Sequence, residues 1–98
     1  MTIDWQEFRD RLVDAKSIIL STHKNPDGDG LGSEIAMFYY LKNINKDVRI
    51  INYSETPERY KFMDPNSSIE TYAPEIHDKW ISNADLVIVF DLGDYLRL

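Results

Sequence analysis

The stretch "SIILSTHKNPDGDGLGSEIAMFYYLKNINKDVRII", residues 17–51, opens and closes on short apolar runs rich in β-branched side chains. "SIIL" (17–20) and "VRII" (48–51) read as strands. Between them, "SEIAMFYYLKNI" (33–44) sets Leu31, Ile35, Phe38 and Leu41 on one stripe, flanked by Ala36, Tyr39 and Tyr40. That spacing predicts an amphipathic helix whose stripe is core. A strand, a helix and a second strand make a parallel crossover, which is right-handed in nearly all known sheets.

Working outward, "LVIVF" (86–90) is a further strand, and because nothing polar alternates in it, it is expected to be covered on both faces. Trp5, Phe8 and Leu12 recur at helical spacing behind Asp4, with Glu7 three residues on as a capping partner. A helix over 5–15 follows, with Trp5 and Trp80 assigned to the core. Pro57, Pro65 and Pro74 punctuate the segment from Ser54 to Asn83. They leave a short helix near 58–62, an extended piece at Ile69–Tyr72 and a helix near 74–81. The fold class is α/β: a parallel, doubly wound sheet with flanking helices. Ligands of such sheets sit beyond the carboxyl ends of the strands, where the winding reverses.

Ninety-eight residues, 43% hydrophobic and 12% aromatic, suffice for one modest core. No run approaches the roughly 20 apolar residues of a membrane span, and the start "MTIDWQEF" lacks the basic and apolar regions of a signal peptide. A cytoplasmic location without membrane contact is expected. With no cysteine, a metal would have to use His and carboxylate ligands, which suit Mn²⁺ or Mg²⁺. A formal charge of −6 argues against broad capture of duplex nucleic acid. An anionic ligand would need a bridging cation.

His23, Asp27 and Asp29 follow the 17–22 strand, and Asp91 follows the 86–90 strand. Should those strands be neighbours, three carboxylates and an imidazole share one cleft. Like charges near 4 Å repel by about 4 kcal/mol at an effective dielectric of 20, and a divalent cation removes that cost. Gly28 and Gly30 are expected to let the loop turn, with Pro26 stiffening its entry, and Gly32 and Ser33 to open the helix at an anion-favouring N-terminus. By composition alone "NPDGDG" reads equally well as an acidic turn. There is no P-loop and no dinucleotide fingerprint. His77 and the acidic Glu55, Glu58 and Glu70 read as solvated surface.

Taken in order, His23, Pro26, Asp27, Asp29, Gly32 and Ser33 resemble the first motif of the DHH phosphoesterase superfamily, His-x-x-Pro-Asp-x-Asp-x-x-Gly-Ser. "VIVFDLGDYLRL", with Asp91, Asp94 and Arg97, resembles its second motif, an apolar strand ending in Asp. The resemblance implies that His23, Asp27 and Asp91 hold one Mn²⁺ and that Asp29 and Asp91 hold a second, Mg²⁺ being the alternative. Asp27, Asp29 and Asp91 then form the catalytic set. Two such ions activate a water and stabilise charge on the transition state and leaving oxygen. Lys24, Ser33 and Arg97 are candidates for substrate binding, Arg97 being equally placed to pair with Asp94.

The namesake Asp-His-His motif and the substrate-gripping C-terminal domain of the superfamily are not found in residues 1–98. The expectation is an incomplete DHH catalytic domain holding the first two motifs, inactive by itself, from a longer enzyme. Within the superfamily the two motifs look most like nanoRNases, which cut short oligoribonucleotides and dephosphorylate 3′-phosphoadenosine 5′-phosphate. Cyclic-dinucleotide phosphodiesterases come next, family II pyrophosphatases third, and a non-catalytic α/β binding module is the alternative of a different class. The partner expected is a nucleotide or short oligonucleotide; an oligomer is compatible with all of these.

Overall fold

The structure, a computed structural model, describes residues 5–22 and 28–90. Helix α1 (Trp5–Asp14) leads into strand β1 (Ser17–Thr22), helix α2 (Gly28–Asn43) and strand β2 (Asp47–Asn52). A 3₁₀ helix (Glu58–Met63), strand β3 (Ile69–Thr71), helix α3 (Pro74–Ser82) and strand β4 (Leu86–Phe90) complete it. The strands form one sheet in the order β3-β2-β1-β4, and every adjacent pair is parallel. From β1 the chain steps outward through β2 to β3, then returns to the opposite side of β1. The winding therefore reverses between β1 and β4.

Alternation along the strands divides the apolar residues between two faces. Ile18, Leu20, Val48 and Ile50 pack with Phe38 and Leu41 of α2, and Leu12 of α1 lies against the same cluster. On the other face Ile19, Ile51, Val87 and Val89 line a shallow depression with Ile81 of α3. At the end of α2, Asn45 takes φ 65°, the Asn45 N–H donates to the Lys42 carbonyl (3.0 Å) and the Lys46 N–H to the Leu41 carbonyl (2.9 Å). This Schellman closure satisfies the last carbonyls of the helix and turns the chain into β2. Lys46 Nζ also donates to the carbonyls of Val13 and Ala15, tying the end of α1 to the same corner. Among the described residues no helix is long and apolar enough to cross a membrane.

Four expectations change. Helix α2 starts at Gly28, ahead of the predicted 33, and no described glycine has positive φ. Gly28, Gly30 and Gly32 are therefore helical, and Gly28 makes room for the 3₁₀ helix: a Cβ there would lie 3.3 Å from Tyr60 Cε1, whereas one at Gly32 would meet the flexible end of Met63, Cε, at 3.4 Å. Strand β4 is an edge strand of the described sheet; its Val87 and Val89 are about half exposed, so it is not covered on both faces. Trp5 is 66% exposed, because α1 turns Leu12 and not its first residue toward the core, whereas Trp80 is half-buried. His77 is 1% exposed and joins Glu70, neither being the solvated residue expected.

Candidate metal centre

The carboxyl edge of the sheet at the β1–β4 reversal is where a ligand site is expected. There the last residues of the two strands face each other: Thr22 pairs with Phe90 in the parallel register, and Thr22 Oγ1 donates to the Phe90 carbonyl at 2.6 Å. His23 and Asp91 are the next residues in sequence. The neighbouring strands that the metal reading required are thus present. Helix α2 begins at the Gly28 that follows Asp27, and Asp29 lies exposed in its first turn, where the positive end of the helix dipole favours a carboxylate. Ser33 is half-buried in the second turn.

His23, Lys24, Asp27, Asp91, Asp94 and Arg97 lie outside the described residues. Among the described residues no three His or carboxylate side chains gather in a metal-binding group, Asp29 being the only one of the four proposed ligands there. The donor chemistry suits a divalent cation: one imidazole and three carboxylates, with no thiolate, match a hard or borderline ion. The topology suits it too, since both strand ends and the start of α2 come to one edge.

Behind this edge runs a buried polar chain that sequence reasoning missed. The Thr22 backbone N–H donates to Asn52 Oδ1 (3.1 Å), and Asn52 Nδ2 donates to Glu34 Oε1 (3.0 Å). Asn52 and Glu34 are fully buried and Thr22 nearly so. Burial pushes the Glu34 carboxyl up from its ordinary 4.5 to about 7, against the opposing hydrogen bond from Asn52. Its Oε2 has no hydrogen-bond partner among the described residues. The signal was available in the spacing: Glu34 falls three residues after Leu31 and four before Phe38, on the apolar stripe, and Asn52 directly follows the apolar end of β2.

The family defined as "DHH family, N-terminal domain" matches residues 17–95, from the first residue of β1 to beyond Asp91. The chain belongs to the DHH family. Among solved structures, this DHH chain is similar to an exopolyphosphatase-related protein from Bacteroides fragilis, with a TM-score of 0.81 and 29% identity. The match covers 89% of this chain and 26% of that one, so the chain spans about a quarter of the length of the protein it matches. No curated protein matches it.

Proposed function

We propose that the chain is the metal-bearing part of a DHH phosphoesterase. The observation that carries the reading is the Thr22–Phe90 pairing at the reversal of winding, which brings the strands preceding both motifs to one edge. His23, Asp27 and Asp91 would hold one Mn²⁺ and Asp29 and Asp91 a second, with Mg²⁺ as the alternative. When bound, the ions supply an activated water and neutralise charge at phosphorus. The chain's own residues hold them: Asp29 from the first turn of α2, the others from the segments that follow β1 and β4. The amino end of α2 adds N–H groups and a positive dipole end that favour a substrate phosphate.

Residues 1–98 would supply the first two motifs of the catalytic domain, with the remaining ligands and the substrate-gripping groups coming from outside them. The substrate proposed is a short oligoribonucleotide or 3′-phosphoadenosine 5′-phosphate, on the likeness of both motifs to nanoRNases, in the cytoplasm. The exopolyphosphatase-related neighbour favours one second reading, hydrolysis of a phosphoanhydride chain. The test offers the complete protein, with Mn²⁺, a di- to pentanucleotide, 3′-phosphoadenosine 5′-phosphate, a cyclic dinucleotide, pyrophosphate and polyphosphate in parallel. Hydrolysis of the first two above the others supports the proposal. Preference for pyrophosphate or polyphosphate moves the substrate to the second reading, and Mn²⁺-dependent hydrolysis of none contradicts both.

A further inference from the structure

We propose that Asn52 and Glu34 are positioning residues, which fix the two strand ends from which the metal ligands His23 and Asp91 continue. The inference rests on the metal reading above and adds residues that neither motif contains. One line of hydrogen bonds crosses four elements. It runs from the Phe90 carbonyl on β4 to Thr22 Oγ1 on β1, from the Thr22 N–H to Asn52 Oδ1 on β2, and from Asn52 Nδ2 to Glu34 Oε1 on α2.

Asn52 extends the sheet by side chain where the backbone ladder ends. The β1–β2 register runs from Ser17↔Asp47 to Leu20↔Ile50, and two residues later the Thr22 amide is bonded by the Asn52 side chain. The Asn52 carbonyl is turned the other way, accepting from the Tyr72 N–H at 2.7 Å. Folding alone would be served more cheaply by aliphatic side chains here. A buried polar atom without a partner costs about 1–3 kcal/mol, and among the described residues Glu34 Oε2 has none. The rest of this core, Ile18, Leu20, Phe38, Leu41, Val48 and Ile50, is apolar. The polar line is confined to the edge where Thr22 and Phe90 end their strands, and a hydrogen-bonded line defines relative position more narrowly than aliphatic contact does.

The test uses the complete protein and two readouts: Mn²⁺ affinity by calorimetry, and amide exchange at Thr22 in the metal-free state. Asn52→Ala is expected to weaken Mn²⁺ binding at least ~10-fold and to speed Thr22 exchange by a similar factor, with Ile18 and Leu20 exchange unchanged. Glu34→Gln keeps an acceptor for Asn52 Nδ2 and should stay within ~3-fold of wild type, whereas Glu34→Ala should not. Should Asn52→Ala fail to fold, the near-isosteric Thr22→Val, which removes only the link to Phe90, carries the test and is expected to weaken Mn²⁺ binding. A folded Asn52→Ala or Thr22→Val that binds Mn²⁺ within twofold of wild type overturns the positioning role and leaves the metal reading standing. Wild-type protein that binds no Mn²⁺ overturns both.

Discussion

Two polar groups at least partly buried share this sheet, and they differ in how completely their carboxylates are satisfied. Under α3, Arg49 grips Glu70 with two hydrogen bonds (Nε to Oε2 at 2.9 Å, a terminal nitrogen to Oε1 at 2.6 Å), and His77 Nε2 lies 3.0 Å from Glu70 Oε1. His77 Nδ1 accepts the Ala73 N–H at 2.9 Å, which places the ring proton of a neutral imidazole on Nε2, facing Glu70. Ala73 offers no side-chain cap to α3, so His77 does that work from inside the helix. Both Glu70 oxygens and both His77 nitrogens are used, and the group closes on itself. At the β1–β4 edge, by contrast, Glu34 keeps an oxygen without a described partner and its carboxyl is pushed up to about 7. A closed network of this kind fastens helix to sheet. An unfinished one beside a strand reversal points to a demand other than stability.

The comparison breaks most visibly at the ligands themselves. In the complete protein, Asp91→Ala is expected to lower Mn²⁺-dependent turnover at least ~10³-fold, about 4 kcal/mol of lost transition-state stabilisation. Asp27→Ala should cost less, because Asp91 is assigned to both ions. Steady-state rates at saturating Mn²⁺ check this, and near wild-type turnover in Asp91→Ala would remove the two-ion assignment.

Next in size is the closed network. His77→Ala removes two hydrogen bonds and a buried ring, so it should lower unfolding stability by about 2–4 kcal/mol in chemical denaturation. Its Mn²⁺ affinity should stay within twofold of wild type. A large fall in affinity with little loss of stability would reverse the roles assigned to the two groups.

The two networks also respond to pH in opposite senses. Folded Glu34 holds its proton more tightly than the unfolded chain does. Its contribution is therefore full below about 4.5, declines as pH rises, and levels off above about 7. At about 1.4 kcal/mol per pH unit, the swing is at most about 3.5 kcal/mol. Glu70 behaves the other way: burial raises it, but the Arg49 and His77 hydrogen bonds and the neighbouring positive charge together hold it below the ordinary carboxylate range. Its contribution is present above its unfolded pKa and lost as pH falls through the lowered one. Denaturation of Glu34→Gln across this range should show a smaller decline between 4.5 and 7, and an unchanged slope would contradict the assignment.

The smallest effects belong to the glycines at the start of α2. Gly32→Ala should be neutral or slightly stabilising: Met63 Cε at 3.4 Å can yield, and alanine is the better helix former by about 1 kcal/mol. Gly28→Ala should gain less, because its Cβ would press on the Tyr60 ring at 3.3 Å. Melting temperatures of the two variants order them, and a strongly destabilised Gly32→Ala would mean closer packing than these contacts show.

Much of this fold was legible because it is carried by periodicity. The stripe through Leu31, Ile35, Phe38 and Leu41 and the runs at 17–20, 48–51 and 86–90 each state an element, and their alternation states a parallel sheet. The candidate site was legible only as two motifs, whose common edge depends on β1 and β4 being neighbours, a long-range pairing that no local pattern expresses. What escaped was polar and at least partly buried. His77 and Glu70 look solvated until Arg49 and the Ala73 N–H arrive from other elements. Glu34 and Asn52 look like ordinary polar positions until the sheet places Thr22 between them and β4. The start of α2 was missed because three glycines in five residues signal a turn by propensity, whereas packing against Tyr60 makes a small residue suitable in a helix there.

The most direct test of the account is the Mn²⁺ stoichiometry of the complete protein near neutral pH, measured by calorimetric titration of wild type and Asp91→Ala side by side. The account predicts two ions bound per wild-type chain and the loss of both sites, or of all but weak binding, in the variant. Equal binding by the two proteins, or no binding by wild type, would contradict the claim that the ends of β1 and β4 build a shared metal centre.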